Sequence, residues 1–397
     1  MDTPNVGSVD VVVVGRGLLG SSAARHLTEL GAAVSLVGPG EPVERRRHQG
    51  VFGSHYDSAR ITRVIDRDPY YARVSAESIG RYAEIEAGSG VEFFHPVGHV
   101  AVSPMAEYTA HLVEAARVHQ LDYDVLDDAA LAAMFPALGF GPGMTSVVER
   151  GTGGWIDPRK FIEAQTALVR RGGGRVIEET VVHVDSVTRT VTTDRGTAIG
   201  AEAILLATGA FAHHFDVIPE PIDVEVVHHT VVMATLAADA VEYLADMPSV
   251  IYKRGDGVGE SVYVMPPASY PDGSVRIKIG QSVGHPMNNP ASELIPWFQS
   301  EGDPEISAWL LEELEAMIPN IDLADRTTDT CVVTKSPTGR QFIDRFDGTS
   351  VYALLAANGQ VAKSADELGR IAAHRVVDGA VPAGYADVDY GIRTLSR

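Results

Sequence analysis

The amino-acid sequence predicts an α/β fold: a parallel sheet assembled from separated stretches of chain, with an antiparallel β-rich domain inserted. Three observations predict it. Residues 9–14 form a continuous β-branched apolar run, followed by a glycine-rich turn and an amphipathic stretch. Apolar strands with glycine at their ends recur far downstream, at residues 203–207 and 351–357. The stretches between them, residues 224–235 and 275–279, alternate or are rich in β-formers, as in an antiparallel sheet.

Each element has its own reason. A run such as residues 9–14 suits a strand buried on both faces of a parallel sheet. Residues 21–30 read as a helix, with Ala23, Ala24, Leu27 and Leu30 on one side and Gly31 as its stop. Residues 33–37 form the next buried strand, completing a βαβ opening of about 30 residues. Gly172-Gly173-Gly174 reads as a turn. Residues 305–318 and 363–374 read as helices. The parallel domain is therefore discontinuous and Rossmann-like, spanning residues 1–90, 150–222 and 325–397. The inserted domain, expected to hold substrate, spans residues 91–149 and 223–324.

Composition narrows the function. The chain has 397 residues, with 32 basic and 53 acidic side chains, a net charge of −21. That excludes a basic, phosphate-neutralising surface, so no nucleic acid is expected as a partner, and no anionic membrane. The single cysteine, Cys331, permits no internal disulfide and fits a reducing compartment. No apolar run approaches the ~18 residues of a membrane span. The N-terminus lacks the basic start of a secretory signal. A soluble, cytoplasmic protein is expected.

The turn after the first strand is Gly15-Arg16-Gly17-Leu18-Leu19-Gly20. Its glycines permit a tight turn, close approach to a pyrophosphate and close helix–strand packing, with the helix N-terminus facing the phosphates. Between strand and helix, this points to a dinucleotide. An acidic residue for the ribose is expected at the end of the second strand, but Gly38 stands there. Either Glu41 substitutes, or backbone and water hold the ribose. The strand Ile204-Leu205-Leu206-Ala207-Thr208-Gly209-Ala210 has the form of a late return to the cofactor domain, which favours FAD over NAD. An ordinary buried strand and turn is the alternative.

Other motifs are weaker. Arg60 and Arg63 are three apart, and on a helix they would share a face and aim positive charge at one place. By composition alone the stretch reads as a solvated charged turn. A lone cysteine such as Cys331 is most often a small buried hydrophobe. Two patterns are set aside. Gly280-Gln281-Ser282-Val283-Gly284 matches a nucleophile elbow, but no helix start follows it. His213-His214 and His228-His229 are adjacent pairs, which point to opposite faces of a strand and suit no metal.

Taken together, these pieces resemble the monomeric sarcosine oxidase and N-methyltryptophan oxidase family, within the D-amino acid oxidase superfamily of flavoproteins. The stretch from Gly53-Ser54-His55 to Arg60-Ile61-Thr62-Arg63, Cys331 followed by Phe342-Ile343-Asp344, and Gly359 with Lys363 carry the resemblance. It implies FAD attached covalently through Cys331, with Arg60 beside the flavin. It implies that Arg63 and Lys363 clamp a substrate carboxylate, with Gln360 nearby. Lys278 would promote the reaction with oxygen, with Tyr263 and His55 completing the catalytic set. Gly15, Gly17, Leu18, Leu19, Gly20, Ser54, His55, Val181, Gly209, Gly359 and Lys363 would contact the cofactor.

The chain departs from that family at Tyr56, Ser282, Thr338 and Gln360. The oxidative machinery therefore matches better than the substrate pocket. The resemblance implies a monomeric flavin oxidase of a carboxylated secondary amine, an N-methyl, N-alkyl or cyclic amino acid. It would form an imine and reduce O2 to H2O2. A dehydrogenase using another electron acceptor, or a degenerate flavin-binding protein, are the alternatives.

Overall fold

Along the strand Asn5–Val14, Val11 and Val13 pack into one core and Val12 and Val14 into another. That is the two-sided burial of a central parallel strand. In a computed structural model, which describes residues 5–54, 56–257 and 259–395, this strand pairs in parallel with Val34–Val37 and with Ala198–Leu206. Val351–Leu355 extends the sheet beyond Ala198–Leu206, and Arg175–Ile177 beyond Val34–Val37, both in parallel. Val181–Asp185, Thr190–Thr193 and Phe342–Arg345 join by antiparallel pairing, making eight strands among the described residues.

The helices Leu18–Glu29 and Val361–Val377 lie against one face of this sheet. Leu19, Ala23 and Leu27 of the first share a core with Leu368, Ile371 and Ala372 of the second. Fully burying a leucine or isoleucine contributes about 1.5–3 kcal/mol. The two backbones touch at Gly369, where an added Cβ would sit 2.6 Å from the Ala23 nitrogen. The helix Pro158–Arg171 packs alongside. Asp157 caps it by accepting from the backbone of Arg159 and Lys160, which fixes where Arg159 emerges.

The second sheet has nine strands among the described residues. Glu225–Thr235, Val275–Gln281, Ser261–Ser269 and Ser249–Lys253 follow one another by antiparallel pairing. His99–Ser103 then joins in parallel, followed by Thr145–Glu149 and Tyr123–Leu126. The helix Pro304–Met317 seats Leu310, Leu314 and Met317 against Val232, Ile277 and Ile279. The strand Arg326–Lys335 was expected with the cofactor segments, whose last piece began at 325. It instead pairs along Glu225–Thr235 in the second sheet. Local β-propensity cannot say which sheet a strand will join.

A third, small sheet joins Arg60–Thr62 to Gly154–Ile156 and Phe94–His95. Arg60 therefore lies on a strand, and the helical spacing considered for Arg60 and Arg63 does not apply. After Gly284 comes the short strand His285–Pro286; a helix does start at Pro290 (Pro290–Gln299), too late for the sharp strand–turn–helix of a nucleophile elbow. No helix of the described residues is long and apolar enough to cross a membrane.

Candidate active site

A long cavity opens where the parallel strands end. Gly15, with φ +106°, lets two strand ends meet: a Cβ there would sit 2.3 Å from the Ala207 carbonyl oxygen. Gly20 packs behind the wall, where a Cβ would sit 1.8 Å from the Gly15 oxygen. Gly17 is the N-cap of Leu18–Glu29, with no side-chain cap and no acidic residue in the first turn. An added Cβ at Gly17 meets nothing within 4 Å. Unpaired N–H groups and open space at a helix N-terminus suit a phosphate.

The wall carries Gly15, Gly17, Leu18 and Leu19 at this turn, and Val181, Gly209 and Gly359 from other segments. Thr208 also lines it, and its Oγ1 is buried without a hydrogen-bond partner among the described residues. At one end, Gly38 presses on the loop: a Cβ would sit 2.6 Å from the Arg16 nitrogen. No acidic side chain fits there. Glu41 reaches the same wall and is held by Arg159 at 2.7 Å. Arg159 also donates to the Asp57 carbonyl at 2.7 Å and to Ser58 Oγ at 2.9 Å.

Ser54, Arg60, Asp57 and Cys331 also line the cavity. The Ser54 carbonyl accepts from the Val332 N–H at 3.0 Å, tying this loop to the cysteine's strand. Cys331 is 5% exposed. Burial pushes its thiol up, and the positive charge of Arg60 opposes this. Asp57 joins two cations: Oδ1 lies 3.0 Å from Arg60 Nε, and Oδ2 accepts from Lys278 Nζ at 2.8 Å. Lys278 is 1% exposed and reaches the cavity lining through Asp57. Burial pulls it down to about 8, against the upward pull of Asp57. Its ammonium lies 5.5 Å from the Tyr263 ring centre. That ring crosses Gly280, where a Cβ would sit 2.5 Å from it. Burial raises the Tyr263 phenol, so it stays protonated.

Arg63 belongs to a second ionic group. Its Nη1 lies 3.0 Å from Asp66 Oδ2, which also accepts from Lys363 Nζ at 2.5 Å. Burial alone would raise Asp66, but Lys363 and Arg63 hold it well below the usual carboxylate range. Burial, with Arg63 beside it, pulls Lys363 down to about 8. Glu149 is buried and accepts from Val64 N at 2.9 Å and Ile65 N at 2.8 Å, fixing the segment after Arg63. Gln360 is the N-cap of the helix bearing Lys363 and makes no side-chain cap bond. The sequence reading brought Arg63 and Lys363 together but gave Asp57, Asp66, Glu149 and Arg159 no role. Gly20 and Lys363, expected at the cofactor, are not among the residues that line this cavity. His55 lies outside the described residues.

Residues 10–375 match the model of one protein family, FAD dependent oxidoreductase. The chain belongs to that family. It is similar to the monomeric sarcosine oxidase of Streptomyces avermitilis, 30% identical over 169 residues, which cover 42% of each chain. It is similar to the probable sarcosine oxidase of Arabidopsis thaliana, 29% identical over 43% of this chain and 40% of that one. The matched stretch thus spans less than half of these curated relatives. Two solved structures share the fold along nearly the whole chain. One is NikD, described as an unusual amino acid oxidase essential for nikkomycin biosynthesis, with TM-score 0.78, 18% identity and 99% of both chains covered. The other is L-proline dehydrogenase from P. horikoshii, with TM-score 0.71, 17% identity, and 96% and 97% covered.

The cavity has groups that suit FAD. The glycine turn and helix N-terminus suit the pyrophosphate, and Glu41 is the acidic group available to a ribose. Thr208 Oγ1 supplies an unused polar atom on the same wall. The residues present therefore fit FAD. Arg60 lines the same cavity, and Asp57 ties it to Lys278.

Proposed function

We propose that this oxidoreductase is an oxidase of a carboxylated secondary amine, with its flavin held through Cys331. The observation that carries the reading is the convergence of Arg60, Asp57 and Lys278 with Cys331 at the cavity. FAD, when bound, supplies the hydride acceptor and passes the electrons on. The substrate C–N bond becomes an imine by loss of a hydride from carbon and a proton from nitrogen. Water then hydrolyses the imine, and O2 takes two electrons and two protons to give H2O2.

The chain's own residues would do the rest. Arg63 and Lys363 would hold the substrate carboxylate and so fix which C–H faces the flavin. Arg60 would stabilise negative charge on the ring, and Lys278 would stabilise developing superoxide. Tyr263, neutral and buried, would wall the substrate pocket. The curated relatives' names, sarcosine oxidases, and the NikD description support an amine substrate.

A second reading is a dehydrogenase, with electrons passing to another carrier. One observation favours it: Lys278 is buried and its ammonium is engaged with Asp57 and with the Ala59 carbonyl. The test takes the purified flavoprotein and a panel of N-methyl, N-alkyl and cyclic amino acids. Bleaching of the flavin without air, and peroxide with air, is the expected result. Bleaching with no peroxide selects the dehydrogenase. No bleaching by any amine removes the amine assignment altogether.

A further inference from the structure

Asp66 bridges two buried cations. Arg63 Nη1 and Lys363 Nζ both approach its Oδ2, at 3.0 and 2.5 Å. Its Oδ1 accepts the Asp68 N–H at 3.0 Å. Glu149 accepts from Val64 N, Ile65 N and Thr152 Oγ1; burial raises its carboxyl, and these donors and the Arg63 charge oppose that rise and favour the ionised form. His99 and Tyr108 also face the cluster and carry no charge: burial pushes the histidine well below its ordinary value and the tyrosine above. Two cations and two carboxylates sum to zero before any substrate arrives.

A neutral buried cluster receives an anion poorly. A ligand bearing only a carboxylate would bring in one uncompensated negative charge, which burial penalises. A ligand bearing a carboxylate and an ammonium brings in none. Its carboxylate can take over the donors of Arg63 and Lys363, and its ammonium can take over the oxygen they release. We propose that Asp66 makes the site selective for zwitterionic amino acids over simple carboxylates, reading the ammonium while Arg63 and Lys363 read the carboxylate. This rests on the amine-site reading above.

The test compares trimethylglycine with 3,3-dimethylbutanoate, which share shape and carboxylate but differ by the positive charge. Each is titrated into the holoenzyme, and the visible flavin spectrum reports binding. The wild-type protein is expected to bind trimethylglycine at least about tenfold more tightly, because the discrimination is a difference of charge complementarity. In Asp66→Asn, which keeps the shape and the acceptor for Asp68, the preference is expected to vanish or reverse. Equal wild-type affinities, a wild-type preference for the simple carboxylate, or an unchanged preference in Asp66→Asn would each overturn the proposal. The wild-type comparison stands even where the variant does not fold. A protein that is bleached by N-methyl amino acids yet shows no preference loses only the role of Asp66. One bleached by no amine loses the amine-site reading and this inference together.

Discussion

Lys278 and Asp57 show how much one carboxylate can decide. Burial pulls Lys278 to about 8, and Asp57 resists that pull. Arg60, Tyr263 and Cys331 face the same ammonium. The charged form exists below that value, so the rate of flavin reoxidation by oxygen should fall as pH rises through about 8. Asp57→Asn removes the group that favours the cation, so the fall should move to lower pH. Stopped-flow reoxidation across pH measures this, and a profile unmoved by the substitution would remove the lysine from the oxygen step. Lys278→Met should slow reoxidation much more than reduction by substrate. Glu41→Ala should weaken FAD binding about tenfold or more, as loss of a charged hydrogen-bond acceptor does. Fluorescence titration of the apoprotein in a Cys331→Ser background, where no covalent bond forms, reads it, and unchanged affinity would return the ribose to backbone and water. Little of this was legible in the sequence. Lys278 meets Asp57 across 221 residues and Lys363 meets Asp66 across 297, and such pairs leave no local pattern.

At the scale of elements, the βαβ opening was legible because burial on both faces writes an unbroken apolar run and the tight turn demands glycine. The helix Leu18–Glu29 begins earlier than its apolar pattern, since the glycine turn itself enters the first helical turn. The pairing of Arg326–Lys335 was not legible, because partner choice lies in the long-range register. The helices are joined by more than apolar contact. Asp366 of Val361–Val377 is fully buried and accepts from Arg25, Arg81 and Gln165 at 2.6, 2.6 and 3.0 Å. Burial alone would raise its carboxyl, but His26, Arg25 and Arg81 hold it well below the ordinary range. The unfolded value is about 3.9, so the contribution is complete above that pH and is lost as pH falls toward the lower folded value. Asp366→Asn should therefore cost about 3–5 kcal/mol at neutral pH, with the deficit narrowing below about pH 4. Urea unfolding of the holoprotein at both pH values checks it. Gly369→Ala should cost about 1–3 kcal/mol by overpacking the helix contact. An unshifted melting temperature would show that the helices separate freely.

Across the whole molecule, the cavity is made by two sheets that meet. One supplies the glycine turn and the strand ends. The other supplies Cys331 and Lys278 on the two strands that flank Glu225–Thr235, and the small third sheet supplies Arg60, which Asp57 ties to Lys278. Removing the thiol should therefore free the flavin without emptying the cavity: Cys331→Ser is expected to keep bound FAD that acid releases. The most direct measurement is an absorbance spectrum of the purified protein before and after acid precipitation, alongside the same variant. Yellow colour that stays in the wild-type pellet and passes to the supernatant in Cys331→Ser is the predicted result. Wild-type protein whose colour passes wholly to the supernatant would contradict the attachment at Cys331, and protein that takes up no flavin even with added FAD would contradict the site itself.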